Sequence, residues 1–162
     1  MTEMQAVIGR EQLKSLDKQL KVRNRIANLY INELKNFYTK YDFFQKPNFK
    51  CETCPLKQNN KKCNKCRHSF YRLNLYINSK NINQLKLIKE LNKNKIQCGV
   101  GSCPEIYREK VFKKYKSQPK FRLKNAKKLS ETSLVFPINP YKKIKLIKKE
   151  IFIIRKILNS YI

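Results

Sequence analysis

The residues best suited to chemistry in this chain of 162 are six cysteines and a single histidine. Four of the thiols form two pairs, Cys51-Glu-Thr-Cys54 and Cys63-Asn-Lys-Cys66, with eight residues between them. Two CxxC pairs can close a tetrahedron of thiolates around zinc, and in a reducing compartment such pairs more often hold metal than form disulfides. Lys50, Lys57, Lys61, Lys62, Lys65 and Arg67 stand around them and would favour the thiolate form. The competing reading is a surface insertion whose thiols are free or redox-labile. His68 follows directly, either as a structural histidine opening a strand or as a further group beside Cys66. Cys98 and Cys103 do not make a CxxC. Pro104-Glu105 suits the first turn of a helix, where a carboxylate complements the dipole. Three glycines leave no room for a Gly-rich phosphate loop.

The elements that must position these residues can be read from periodicity. Residues 2–39 read as one long helix: Thr2 with Gln5 fits a capping box, and Met4, Ile8, Leu13, Leu16, Leu20, Ala27, Tyr30, Leu34 and Phe37 recur at mostly three- and four-residue intervals. Such a helix would extend ~55 Å, further than a domain of this size is wide, so part of its apolar stripe must face something these residues do not supply. Pro47 and a polar stretch end it, and the cysteine-bearing loop follows. From Ser69 to Ile77 the pattern alternates, with Tyr71, Leu73, Leu75 and Ile77 to one side and Arg72 and Asn74 to the other, as in a half-buried strand. Asn81 is placed as the cap of a helix with Ile82, Leu85, Ile88 and Leu91 inward. A further helix is expected from Pro104 to about Tyr115, a short one over Asn125–Glu131 and a strand over Ser133–Phe136. A closing amphipathic helix carries Ile144, Ile147, Ile151, Ile154 and Leu158. There is no internal repeat. The expectation is α+β: a long N-terminal helix (1–40), a cysteine-rich loop (41–67) and a small α/β domain (68–162).

Charge is the compositional outlier, at +27 from 38 basic and 11 acidic residues. Such a balance suggests nucleic acid or an anionic membrane surface. The basic residues are 30 Lys and only 8 Arg, beside 17 Asn and 16 Ile with 3 Ala and 3 Gly, a bias toward AT-rich codons that accounts for much of the excess. Arg, whose rigid fork grips phosphate bidentately, is the scarcer cation. No apolar run approaches a membrane span and no signal-peptide pattern opens the chain, which reads as cytoplasmic.

Four blocks together resemble one family. Met1-Thr2-Glu3-Met4-Gln5-Ala6-Val7-Ile8-Gly9-Arg10-Glu11-Gln12-Leu13, His68-Ser69-Phe70-Tyr71-Arg72-Leu73, Gly101-Ser102-Cys103-Pro104-Glu105-Ile106-Tyr107-Arg108-Glu109-Lys110 and Leu123-Lys124-Asn125-Ala126-Lys127-Lys128-Leu129-Ser130-Glu131-Thr132-Ser133-Leu134 are similar, in this order, to segments of the DegT/DnrJ/StrS-type sugar aminotransferases. That resemblance implies the C-terminal part of a fold-type-I enzyme using pyridoxal phosphate. Its small domain would be like the second half of this chain, and the complete enzyme would move an amino group from glutamate to a keto-sugar nucleotide for surface-polysaccharide synthesis. None of the lysines here matches the family's lysine-bearing motif, so the resemblance assigns these residues no catalytic or cofactor-binding group. The cofactor belongs to the complete enzyme only, and this stretch alone is expected to be silent. The implied partners are a large domain, missing or separately encoded, and a second copy in a homodimer. The loop at 99–107 would approach the sugar nucleotide, making Cys103, Glu105 and Tyr107 the candidates for substrate contact. The sequence departs from the family in its longer cysteine loop, where Cys51, Cys54, Cys63 and Cys66 are the candidate zinc ligands. A reading of a different class is a small basic, zinc-stabilised nucleic-acid-binding module, with lysines on phosphates and Phe70 or Tyr71 for stacking.

Overall fold

The computed structural model describes residues 2–45, 68–78, 82–101, 105–114 and 118–162. Helix α1 spans Glu3–Glu33 and begins with the expected capping box: Thr2 Oγ1 accepts from the Gln5 amide, and Gln5 Oε1 accepts from the Thr2 amide. The single helix expected over 2–39 is interrupted at Leu34, whose backbone leaves helical geometry with its side chain fully buried; α2 then covers Lys35–Thr39. The break lets Phe37, Tyr38, Phe43 and Phe44 turn into the core. The Phe43 and Phe44 rings meet edge-on at 4.8 Å.

Three strands form an antiparallel sheet in the order β1-β3-β2, with β1 at Arg72–Tyr76, β2 at Gly99–Val100 and β3 at Ser133–Pro137. Residues 133–136 of the central strand are all buried, and Leu134, Val135 and Phe136 form a continuous apolar run and not an alternation. On β1, Leu73, Leu75 and Ile77 point into the core as expected, but Tyr71 does not join them and is 63% exposed. Tyr71 precedes the paired residues, directly after Phe70, whose positive φ of 43° rotates the chain before the strand begins.

Helix α3 spans Gln84–Lys93 and is capped by Asn83, whose side chain accepts from the Lys86 amide; Asn81 lies outside the described residues. Gln84, Leu87 and Leu91 are buried, and Leu85, expected inward, is 58% exposed. The helix expected from Pro104 to about Tyr115 is instead a 3-10 turn at Ile106–Arg108 followed by a short α4 at Lys110–Lys114, with Pro104 and Tyr115 outside the described residues. Helix α5 (Lys124–Thr132) runs straight into β3, and α6 (Ile144–Asn159) closes the domain with Ile147, Ile151, Ile154, Ile157 and Leu158 in the core. These isoleucines pack with Ile26, Ala27 and Tyr30 of α1, Leu87 and Leu91 of α3, and the inner face of the sheet. Among the described residues no helix is long and apolar enough to cross a membrane.

Candidate functional site

The densest polar cluster is built on Glu105, at the entrance to the 3-10 turn. Its Oε1 accepts from Arg122 Nε at 2.7 Å and from the Tyr107 hydroxyl at 2.9 Å. Its Oε2 accepts from Arg122 Nη2 at 2.6 Å and from Ser130 Oγ at 3.1 Å. The Arg122 fork is the bidentate geometry in which charge-assisted bonds are strongest. It holds the Glu105 carboxyl down at about 2, with Tyr107 and Ser130 adding to the effect and desolvation opposing it. Arg108 adds a longer ion pair at 3.5 Å. The Tyr107 hydroxyl in turn accepts from the Leu123 amide at 3.0 Å, and the Tyr107 carbonyl accepts from Gln118 at 2.6 Å.

The cluster therefore ties the 3-10 turn to residues 118–123 and to α5. With about four acceptor directions on a carboxylate, Glu105 is filled by its own chain. Of the sequence candidates, Glu105 and Tyr107 are brought together here, and Cys103 lies outside the described residues. Arg122 and Ser130 were not singled out by the sequence. The available signal was Arg122 itself, one of only 8 arginines beside 30 lysines.

A second polar set fixes the junction of α5 and β3. Because α5 enters the strand with no linker, its last carbonyls need partners from elsewhere. Thr132 O accepts from the Ile77 amide at 2.8 Å, Ser130 O from Gln84 Nε2 at 3.1 Å, and Ser133 O from the same Gln84 nitrogen at 2.6 Å. The Gly101 amide goes to Ser133 Oγ at 3.1 Å, which places the end of β2 directly against β3.

Cys51, Cys54, Cys63 and Cys66 all lie outside the described residues, and among the described residues no group of three or more metal-ligating side chains occurs. His68, which follows them, is exposed. Its Nδ1 accepts from the Phe70 amide at 3.0 Å, and its carbonyl accepts from Asn24 of α1 at 2.9 Å, a structural arrangement that fastens the approach to β1. Phe70 is buried and offers no ring for stacking, whereas Tyr71 is exposed with the Arg23 and Arg72 guanidinium groups near its ring. Cys98 is a buried free thiol, and burial pushes it up to about 12.

The apolar stripe of α1 divides into two halves. Ala27, Tyr30 and Leu34 are buried, but Met4 is 75%, Ile8 53% and Leu13 67% exposed. Beside this bare half lies an open groove of about 470 Å³, lined by Val7, Ile8, Glu11 and Gln19 among others and bounded by Tyr141, whose hydroxyl accepts from Gln19 at 3.0 Å. A second groove of about 230 Å³ is lined in part by Tyr30, Asn139, Lys142 and Glu150.

The model of the DegT/DnrJ/EryC1/StrS aminotransferase family matches residues 1–149. Among solved structures, the aminotransferase from Psychrobacter cryohalolentis superposes with a TM-score of 0.85 at 29% identity, over 99% of this chain and 39% of that one. PseC of Helicobacter pylori, an aminotransferase involved in the biosynthesis of pseudoaminic acid, gives 0.74 at 18% identity, over 99% of this chain and 38% of its own. E. coli GDP-4-keto-6-deoxy-D-mannose-3-dehydratase, solved with hydrated pyridoxal phosphate, gives 0.65 at 17% identity over 91% and 33%. The last two likenesses are of fold alone. A search of the curated proteins returns no match. The chain spans less than two-fifths of the length of each of these structures.

The described residues do not by themselves fit pyridoxal phosphate. That group needs a lysine amine for its aldehyde and cations or amide donors for its phosphate. The groove along α1 is lined by no cation. The second groove is lined by one, Lys142, whose ammonium is bonded to Glu150, while Glu150 also faces the Tyr30 hydroxyl at 3.5 Å.

Proposed function

We propose, from the premise that the chain belongs to the DegT/DnrJ/EryC1/StrS aminotransferase family, that these residues are the C-terminal segment of a pyridoxal-phosphate-dependent sugar-nucleotide aminotransferase. The complete enzyme would transfer an amino group from glutamate to a keto-sugar nucleotide used in surface-polysaccharide synthesis, and would work as a homodimer. The observation that carries this reading is the bare half of α1. A helix whose apolar face is buried from Ile26 to Leu34 and exposed from Met4 to Leu16 is half-packed, and the missing cover is the large domain of the enzyme.

In this arrangement the 162 residues supply one wall of the substrate cleft and a docking surface, and the Schiff-base lysine comes from the large domain. The loop carrying Cys103, Glu105 and Tyr107 faces the substrate, with Glu105 and Tyr107 fixing its position through Arg122 and Ser130. The cysteine pairs in the preceding loop bind one zinc ion in a structural role, supported by their spacing alone. Metal analysis of the purified protein should give one zinc per chain, and none in Cys51→Ser/Cys63→Ser.

The experiment for the function has two parts. The endogenous product is sized by immunoblot and intact mass, which tells whether the segment is joined to its large domain or encoded apart from it. A large-domain fragment of the same family is then titrated against the purified chain, and its binding should raise the melting temperature by linkage. Leu13→Glu on the bare stripe should abolish that rise while leaving the chain's own unfolding unchanged. A rise that Leu13→Glu leaves intact, or no rise with the fragment from the same source, sinks the proposal.

A further inference from the structure

Helix α6 has two faces of opposite character. Ile147, Ile151, Ile154 and Leu158 are buried on one. Directly opposite, Lys145, Lys149, Phe152 and Lys156 follow one another at intervals of four, three and four, with Lys148 beside them. At 100° per residue these five fall within a sector of about 100° and form a straight stripe about 16 Å long. All five are exposed, Phe152 by 68%. The one acid of the helix, Glu150, lies off this sector and is taken up by Lys142, and the arginine at its edge, Arg155, pairs with Glu33 of α1. Among the described residues no ion pair engages Lys145, Lys148, Lys149 or Lys156.

Codon bias supplies lysine and phenylalanine alike, but it does not gather them on one sector of one helix with four unpaired lysines around a bare phenylalanine. Nor does packing account for them, since the core is on the other side. We propose that α6 rests on an anionic lipid bilayer, with the four lysines at the headgroups and Phe152 entering the interface.

The choice of a bilayer over nucleic acid follows from shape and from the cation used. The five side chains share one sector of a straight helix whose opposite face is in the core, a shape that meets a plane along its length. The stripe is lysine throughout, a point charge suited to a diffuse anionic surface, with no free arginine fork for phosphate or base edges. Association of this kind is peripheral and reversible, and does not depend on the aminotransferase reading.

The test is flotation of the purified full chain with vesicles of equal parts phosphatidylserine and phosphatidylcholine, with phosphatidylcholine alone as the comparison. Each lysine near such a surface contributes about a fivefold factor in partitioning, so Lys145→Gln/Lys149→Gln should weaken binding about 25-fold. Phe152→Ala, which keeps every charge, should weaken it by about tenfold, the effect of a phenylalanine only partly withdrawn from water. Lys86→Gln/Lys89→Gln on the exposed side of α3 removes the same charge and should change little. Circular dichroism of each variant verifies that it is folded, and all these side chains are exposed. Equal loss in the α3 variant would mean that net charge alone drives binding and would overturn the proposal. Absence of flotation, indifference to Phe152→Ala, or stripe-dependent binding to single-stranded RNA without binding to vesicles would each overturn it as well.

Discussion

Gln84→Met isolates a single buried donor group. The Gln84 side chain is 8% exposed, and its amide nitrogen serves Ser130 O and Ser133 O at once, one a carbonyl of the last turn of α5 and the other in the first residue of β3. Methionine has nearly the same length and keeps the apolar contacts, so the substitution removes the donors without opening a large cavity. The Ser130 bond is only part-buried and its carbonyl can turn to water; the Ser133 bond is buried at 2.6 Å and its carbonyl cannot. A net hydrogen bond is worth about 1 kcal/mol and a stranded buried acceptor costs about 1–3 kcal/mol, so the expected loss is about 2 kcal/mol, or roughly 30-fold in the folded-to-unfolded ratio. For a chain of this size that is a melting temperature lower by about 4–8 °C. Urea and thermal unfolding followed by circular dichroism measure both quantities. Leu85→Met, one residue away on the exposed side, serves as the control and should stay within about 0.5 kcal/mol. If Gln84→Met is equally silent, the carbonyls at the α5–β3 junction have other partners and the account of that junction is wrong.

Other outcomes follow from the same geometry. The Glu105 carboxyl is held at about 2 in the folded chain against an ordinary 4.5, so its contribution is complete above about 4.5 and is lost as the pH falls toward 2. Urea midpoints measured across that window should decline less steeply in Glu105→Gln than in the parent. A β-carbon on Gly101 would sit 2.7 Å from Ser133 Oγ and 3.0 Å from Ser133 Cβ, so Gly101→Ala should cost about 1–3 kcal/mol in an unfolding titration. Gly9→Ala, with nothing within 4 Å in the exposed part of α1, should instead add about 0.5–1 kcal/mol. Cys98, buried and pushed up to about 12, should resist a thiol reagent at pH 8 until the protein is unfolded, as counted by mass of the labelled chain.

The sequence by itself determined the elements whose signals are local. The capping box at Thr2 and Gln5, the alternation through Leu73, Leu75 and Ile77, and the isoleucine spacing of α6 each depend on neighbours within about two turns, and each is found as read. Four short blocks in family order carried the family for the same reason, since they are contiguous stretches. Local pattern could not choose between Asn81 and Asn83 as the cap of α3, nor show that Gln84 and not Leu85 faces the core.

Only the tertiary structure decided where long-range partners lie. Leu34 reads locally as one more residue of the stripe, but the helix breaks there, with Leu34 buried and Phe37, Tyr38, Phe43 and Phe44 packed into the core beyond it. Glu105 read locally as a residue favoured by a helix dipole; Arg122, 17 residues away, and Ser130, 25 residues away, made it the centre of a hydrogen-bonded cluster. The stripe of α1 looked uniform along its length, yet half of it is bare, because burial depends on what packs against a face and a periodic sequence describes only the face itself.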